Sequence, residues 1–408
     1  MRKTGSFGKF LLLWSGELIS SIGGGLTSFG LGVYIFRQTG SAASMSLVTL
    51  LGFLPTLLLS VPAGALADRH DRRLLMMIGD GCSALGILYI LICMMRGGAS
   101  LAQICAGVFV SAFFSALLEP SFRATITDLL TKEEYSKASG LVSLAGSARY
   151  LFSPVIAGFL LTVSDVKLLL VIDICTFFLT VISAAVVRKG IGAKAAEKKE
   201  AFLESIRESW QILREKRGVL FLVAVSSGIT MFMGILQILE KPFVLSFTDE
   251  KTLGIAETVC ACGMLVSGII LGIRGLKKNY AGTLGISLTA AGLLMAGFGL
   301  SGNMIMVCGF GFLFFAVLPF ANNCLDYLVR TNIPDEVQGR VWGLVGFISQ
   351  LGYVIAYAVS GAAADAVGSV TGQGVGHGAA VMITAAGLCL AVTAAATLFR
   401  KRIRKLEE

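Results

Sequence analysis

The chain has 408 residues, 55% of them hydrophobic and 14% charged, with a formal net charge of +9. A soluble domain carries about 25% charged residues, so this composition excludes a water-facing globule and turns most of the surface toward lipid. The positive charges cluster at the ends of apolar runs and form no stripe on a folded face, which excludes nucleic acid as a partner.

Twelve apolar runs are long enough to cross about 30 Å of hydrocarbon. They cover residues 10–36, 44–66, 74–95, 101–122, 138–163, 168–187, 217–246, 254–273, 281–301, 303–325, 339–367 and 378–399. Arg2, Lys3 and Lys9 precede the first, as in a signal peptide, but that run is too long for a cleaved leader and reads as a span. The expected class is an all-α membrane protein of twelve spans. Nine cysteines lie in the runs and read as small core or lipid-facing residues.

Between the second and third runs stands Gly64-Ala65-Leu66-Ala67-Asp68-Arg69-His70-Asp71-Arg72-Arg73-Leu74, a short basic hairpin. With the N-terminus in the cytoplasm, 28 Lys and Arg fall on the cytoplasmic side and 5 outside, with Arg149 left within span 5. Arg37, Arg96, Lys167, Lys241 and Lys251 make up the outer set. That bias predicts a multi-pass protein of the inner (cytoplasmic) membrane with both termini on the cytoplasmic side.

Residues 188–216 read as a cytoplasmic linker between two six-span bundles, 1–187 and 217–408. Leu203, Ile206, Trp210 and Leu213 recur there at helical spacing, which predicts a helix lying on the membrane face; a polar tether is the alternative. The halves look like copies. Glu133-x-x-x-Lys137-x-x-Gly140-Leu141 returns as Glu336-x-x-x-Arg340-x-x-Gly343-Leu344, an offset of 203 residues. The hairpin has a counterpart 204 residues on, where Gly268 matches Gly64 and Gly272 stands in place of Asp68. Such parallel repeats place a substrate site between the halves near the midplane.

At the hairpin the chain resembles the major facilitator superfamily. Gly64, Asp68, Arg69, Arg72 and Arg73 match that superfamily's Gly-x-x-x-Asp-Arg-x-x-Arg-Arg loop between spans 2 and 3. Within the superfamily it looks most like the macrolide-efflux type of drug:proton antiporter, through Leu13-Trp14-Ser15-Gly16-Glu17, Ser153-Pro154, Pro334-Asp335-Glu336 and Gly339-Arg340-Val341. Siderophore exporters and lysophospholipid flippases share much of this pattern. Span 5 carries a degenerate antiporter motif at Arg149, Ser153, Pro154, Ala157 and Gly158, whose small residues permit close helix packing. Many drug:proton antiporters hold an arginine within span 4; residues 101–122 have none. The resemblance implies protons and a small amphipathic substrate as partners, membrane lipid around a monomer, and no cofactor.

An ionisable group inside a span is costly unless paired or wetted, so each is a functional candidate. Glu17 is the candidate proton carrier; the alternative is a structural carboxylate bonded to a neighbouring helix. Arg149, near the middle of span 5, suits an anionic substrate, an ion pair with a carboxylate such as Glu17, or a fixed packing pair. Glu257 and Asp173 lie toward the outer ends of spans 8 and 6, as gating groups or solvated ones. Glu119 and Arg123 are four apart and neutralise each other. Asn322 and Asn323 in span 10 suit hydrogen bonds to a ligand or between helices. Asp68 suits the positive N-terminal end of a facing helix; the resemblance makes that helix span 11, near Gly339 and Arg340, as a conformational lock.

His70 and His377 are too few and too distant for a metal site. The chain carries no Walker loop and no motif for Ser/His/Asp catalysis, so an ATP-driven pump and a hydrolase are disfavoured. The reading is a transporter rather than an enzyme, exporting amphipathic drugs in exchange for protons. A lipid flippase is its rival, and a non-transporting sensor on the same fold the third class.

Overall fold

Proline placement decides which apolar runs stay continuous. In a computed structural model of the chain, residues 7–131, 134–188, 210, 211, 213, 214, 216–276, 279–333 and 338–398 are described. The helices in the first half are α1 (Phe7–Thr39), α2 (Ala42–Arg69), α3 (Arg72–Met95), α4 (Leu101–Ser115), α5 (Leu118–Leu129), α6 (Tyr135–Leu151), α7 (Ser153–Val163) and α8 (Val166–Arg188). Those of the second half are α9 (Arg217–Leu245), α10 (Glu250–Arg274), α11 (Tyr280–Leu300), α12 (Met304–Thr331), α13 (Gln338–Thr371) and α14 (Gly374–Leu398). Among the described residues, twelve helical stretches are long and apolar enough to cross a membrane.

Two of the twelve are broken. The fourth is α4 plus α5, interrupted at Ala116 and Leu117. Pro120 lacks an N–H for the Ala116 carbonyl and its ring crowds that group, which weakens the turn before it. The Leu117 amide bonds Phe114 instead, at 3.0 Å. The fifth is α6 plus α7, interrupted at Phe152, two residues before Pro154. Pro55, Pro62, Pro242 and Pro319 stay inside their helices.

Caps fix several ends. Ser100 and Gln103 form a reciprocal capping box at the start of α4. Asp71 caps α3 by accepting the Arg73 amide at 3.1 Å. Most of the expected linker helix, including Leu203 and Ile206, lies outside the described residues; of its apolar face, Trp210 is exposed and Leu213 buried.

The chain divides into two compact units. The first holds residues 1–39, 47–198 and 250–255; the second holds 40–46, 199–249 and 256–408. They differ from the expected halves by two exchanged segments, the first turn of α2 and the first turn of α10. In the first unit α1 packs on α6, α7 and α8, and α3 packs on α4, α5 and α8. In the second, α9 packs on α13 and α14, and α11 packs on α12 and α14. Both units therefore pair their first span with their fifth and sixth, and their third with their fourth and sixth. That is the repeat seen in the offset of 203.

Lipid tails are as apolar as leucine, so helices in a bilayer cohere by close packing. α1 shows how: Gly16, Gly23 and Gly30 recur every seventh residue and lie against Thr180, Thr176 and Leu169 of α8. At the hairpin end, Phe10, Leu13, Met76, Phe122, Leu129 and Val187 form one buried cluster joining α1, α3, α5 and α8.

Candidate functional site

The α1–α8 seam sets the site. Close approach at Gly23 puts the Asp173 carboxylate within 2.9 Å of where a Cβ would stand. Buried hydroxyls line the same seam. Thr176 donates to the Asp173 carbonyl at 2.7 Å, Thr180 to the Gly16 carbonyl at 3.3 Å, and Ser183 to the Thr180 carbonyl at 2.9 Å. Asp173 is only 1% exposed. The expectation of a shallow group at the outer mouth is corrected: seven residues from the start of α8 is about 10 Å of helix, and α1 covers it there.

Glu17 stands on α1, part-buried, and its Oε2 has no hydrogen-bond partner. Next to it is a residue that the sequence reading passed over. Asp80 of α3 is 0% exposed, and among the described residues neither of its carboxylate oxygens is held by a hydrogen bond of ordinary geometry. Glu17 and Asp173 are the charges that act on Asp80. Thr180 is the side chain that reaches toward it, and the Thr180 hydroxyl also lies 3.3 Å from the Gly16 carbonyl and 3.4 Å from that of Thr176. Asp80 was legible as a lone acid inside an apolar run.

Arg149 sits exposed on α6, with its stem against Gly25 of α1. Its charge acts on Asp173. Ser153 donates to the Ile22 carbonyl at 2.9 Å, tying α7 to α1. Pro154 and Gly158 face the first turn of α10: a Cβ on Gly254 would strike the Pro154 carbonyl, and one on Gly158 would lie 2.6 Å from that of Glu250. Ala157 is fully buried beside them. Glu119 pairs with Arg123 at 2.8 Å on the exposed face of α5.

The second unit holds another ionic group. Lys241 of α9 meets Glu257 of α10 at 2.8 Å, each 14% exposed. Lys241, assigned by sequence to the outer side, thus lies inside a helix with a fixed partner. Glu240, also missed, acts on the same pair. Asn322 and Asn323 are on the exposed side of α12, whose buried face is Leu318, Ala321, Cys324 and Leu325.

The hairpin is wired to its own bundle. Arg72 reaches Asp128 at 2.8 Å and the Ala124 carbonyl at 2.8 Å, and Arg73 reaches Asp128 at 3.4 Å. Asp128, at the end of α5, gathers both arginines and was not singled out from sequence. Asp71 pairs with Arg188 at 2.7 Å. Burial pushes the Asp71 carboxyl up, but the Arg188 hydrogen bond, the Arg73 amide and the Arg188 charge outweigh it and leave the group below its ordinary 3.8. Asp68 and Arg69 are exposed, Asp68 lying 3.6 Å from Arg72. Gly64 has open space where a Cβ would stand. Gly339 and Arg340 lie in the first turn of α13, and their side chains are outside the described set.

A cavity of about 580 Å³ opens at the end of the first unit opposite the hairpin, lined by Tyr34, Arg37, Met95, Asp165, Lys167 and Glu250. Arg37 and Glu250 form an ion pair there. None of Glu17, Asp80 and Asp173 lines this cavity.

A model of the Major Facilitator Superfamily matches residues 13–357. Macrolide efflux protein A of Streptococcus pyogenes is 28% identical over 376 residues, 88% of this chain and 90% of that one. Multidrug efflux pump Tap of Mycolicibacterium fortuitum is 24% identical over 98% of this chain and 97% of its own. Among solved structures, a bacterial homologue of the human lysosomal transporter Spinster, inward-facing and unoccupied, superposes with a TM-score of 0.77 at 15% identity. That match covers 100% of this chain and 99% of the other.

Proposed function

The chain belongs to the major facilitator superfamily, and we propose that it exports amphipathic, cationic drugs in exchange for protons by alternating access. The relatives named for macrolide and multidrug efflux support the substrate class. The observation that carries the proton is Glu17, a carboxyl inside the first unit with a buried oxygen that nothing satisfies. An unpaired charge at membrane depth costs several kcal/mol, so the group alternates between holding a proton and being matched by a cation. Deprotonated Glu17 favours the bound cation; a proton arriving from outside neutralises Glu17 and releases it.

The same reading keeps both termini cytoplasmic, the division at 1–187 and 217–408, and the hairpin as a lock. Arg72 and Arg73 are held on Asp128, while Asp68 is exposed at the hairpin, and the resemblance to the superfamily gives it the helix N-terminus near Gly339.

The test is efflux of a fluorescent cationic dye from proteoliposomes, with and without a pH gradient, in wild type and Glu17→Gln. Gradient-dependent efflux lost in the variant is the expected result. Equal gradient-driven export by the variant contradicts the role of Glu17.

A second reading, a lysophospholipid flippase, is favoured by one observation: Arg149 is exposed on span 5, where it suits a phosphate. It predicts flux without a pH gradient that is lost in Arg149→Ala.

A further inference from the structure

The interior of the first unit is not electrically balanced by its own side chains. Three acids stand in it, Glu17 on α1, Asp80 on α3 and Asp173 on α8, and the charges of Glu17 and Asp173 act on Asp80. The helices packed on α3 supply little to offset them. α4 carries no charged residue. On α5, Glu119 is matched by Arg123, and Asp128 by Arg72 and Arg73. On α8, Arg188 is engaged by Asp71. Arg149 is the cation that reaches the group, and it acts on Asp173. Among the described residues, that leaves Glu17 and Asp80 as two acids sharing one interior without a counter-ion.

Asp80 is the more confined of the two. It is 0% exposed, and among the described residues neither oxygen is held by a hydrogen bond of ordinary geometry, Thr180 being the side chain that acts on it. It lies eight residues into α3 from Arg72, about 12 Å of helical rise. A packing role is better served by an apolar side chain of similar size, since a buried polar group that is poorly satisfied costs free energy and contributes no contact that a leucine lacks.

We propose that Asp80 is a second proton-binding residue of the transport cycle, coupled by charge to Glu17. This rests on the proton-exchange reading. When an amphipathic dication enters, the Glu17 and Asp80 carboxyls each give up a proton to solvent, and the two carboxylates balance its two positive charges. When the substrate leaves, both take protons back. No other reactant is needed, and charge within the bundle stays near neutral throughout.

The test counts protons. Purified wild-type protein in weakly buffered detergent solution is titrated with dequalinium, an amphipathic dication, and released protons are read with a pH dye against bound cation. The number released per cation equals the change in bound protons between the two states. Wild type is expected to release more than one proton per cation. Asp80→Asn and Glu17→Gln are each expected to release about half as many, and the double variant none. A wild type that releases no proton overturns both this proposal and the reading beneath it. Loss in Glu17→Gln with full release in Asp80→Asn overturns the proposal and leaves the reading intact. Should Asp80→Asn not bind the cation, Asp80→Glu decides: full release with a displaced pH midpoint supports the proposal, and an unmoved midpoint overturns it.

Discussion

Asp365 of α13 accepts the Ala42 backbone amide at 2.8 Å, closing the N-terminus of α2 with a side chain from more than three hundred residues away. Its other oxygen takes the Ala43 amide at 3.0 Å and the Ser41 hydroxyl at 2.6 Å. A helix start leaves its first amides unsatisfied and bears partial positive charge, so a carboxylate there does the work of a cap. Asp365→Ala is expected to cost about 1–2 kcal/mol, read as a lower melting temperature in detergent. Asp365→Asn keeps an acceptor and loses less.

Close approach at the start of α10 gives a second expectation. Gly254 lies on the Pro154 carbonyl and Gly158 on that of Glu250. Gly254→Ala forces backbone apart and is expected to destabilise by about 1–3 kcal/mol. Gly64→Ala, into open space, leaves the melting temperature unchanged or slightly raised, because alanine favours helix. Equal losses in both variants contradict this packing.

The hairpin separates structural from functional charge. Arg73 is 3% exposed and shares Asp128 with Arg72. Removing one partner of a buried pair strands the other, so Asp128→Asn is expected to lose about 3–5 kcal/mol. Asp68, exposed and 3.6 Å from Arg72, contributes little to folding. Asp68→Asn keeps its melting temperature and slows dye efflux, as the lock requires. A large drop in melting temperature for Asp68→Asn contradicts that division.

Acid should reveal the Asp71–Arg188 pair. The Asp71 carboxyl is lowered from its ordinary 3.8 in the folded protein. A lowered acid stabilises fully above its unfolded pKa, and that contribution fades as pH falls through the folded value. The gap in melting temperature between wild type and Asp71→Asn is therefore expected to be constant from about pH 8 to pH 5 and to shrink below about pH 4. A gap that widens in acid reverses the sign and contradicts the pairing.

Span count, hairpin and repeat were legible because hydropathy and turn chemistry are local. The repeat even reaches the packing: Gly158 meets the first turn of α10, and Gly361, 203 residues later, meets Ala42 at the first turn of α2. The site was only half legible. Glu17 stood out by depth, and Asp80 and Glu240 carried the same signal unread. Asp173 was misplaced because depth along a helix does not say which face another helix covers. Asp128 and Asp365 lie near span ends, where an acid reads as solvated until its distant partners are known.

The proposed exchange moves substrate and protons in opposite directions. The direct measurement is lumen pH, followed with a trapped pH-sensitive dye in proteoliposomes, after a cationic drug is supplied on the side from which it is transported. The expected result is a drug-dependent proton movement opposite to the drug, abolished in Glu17→Gln. Drug movement with no change in lumen pH, or an equal change in the variant, contradicts it.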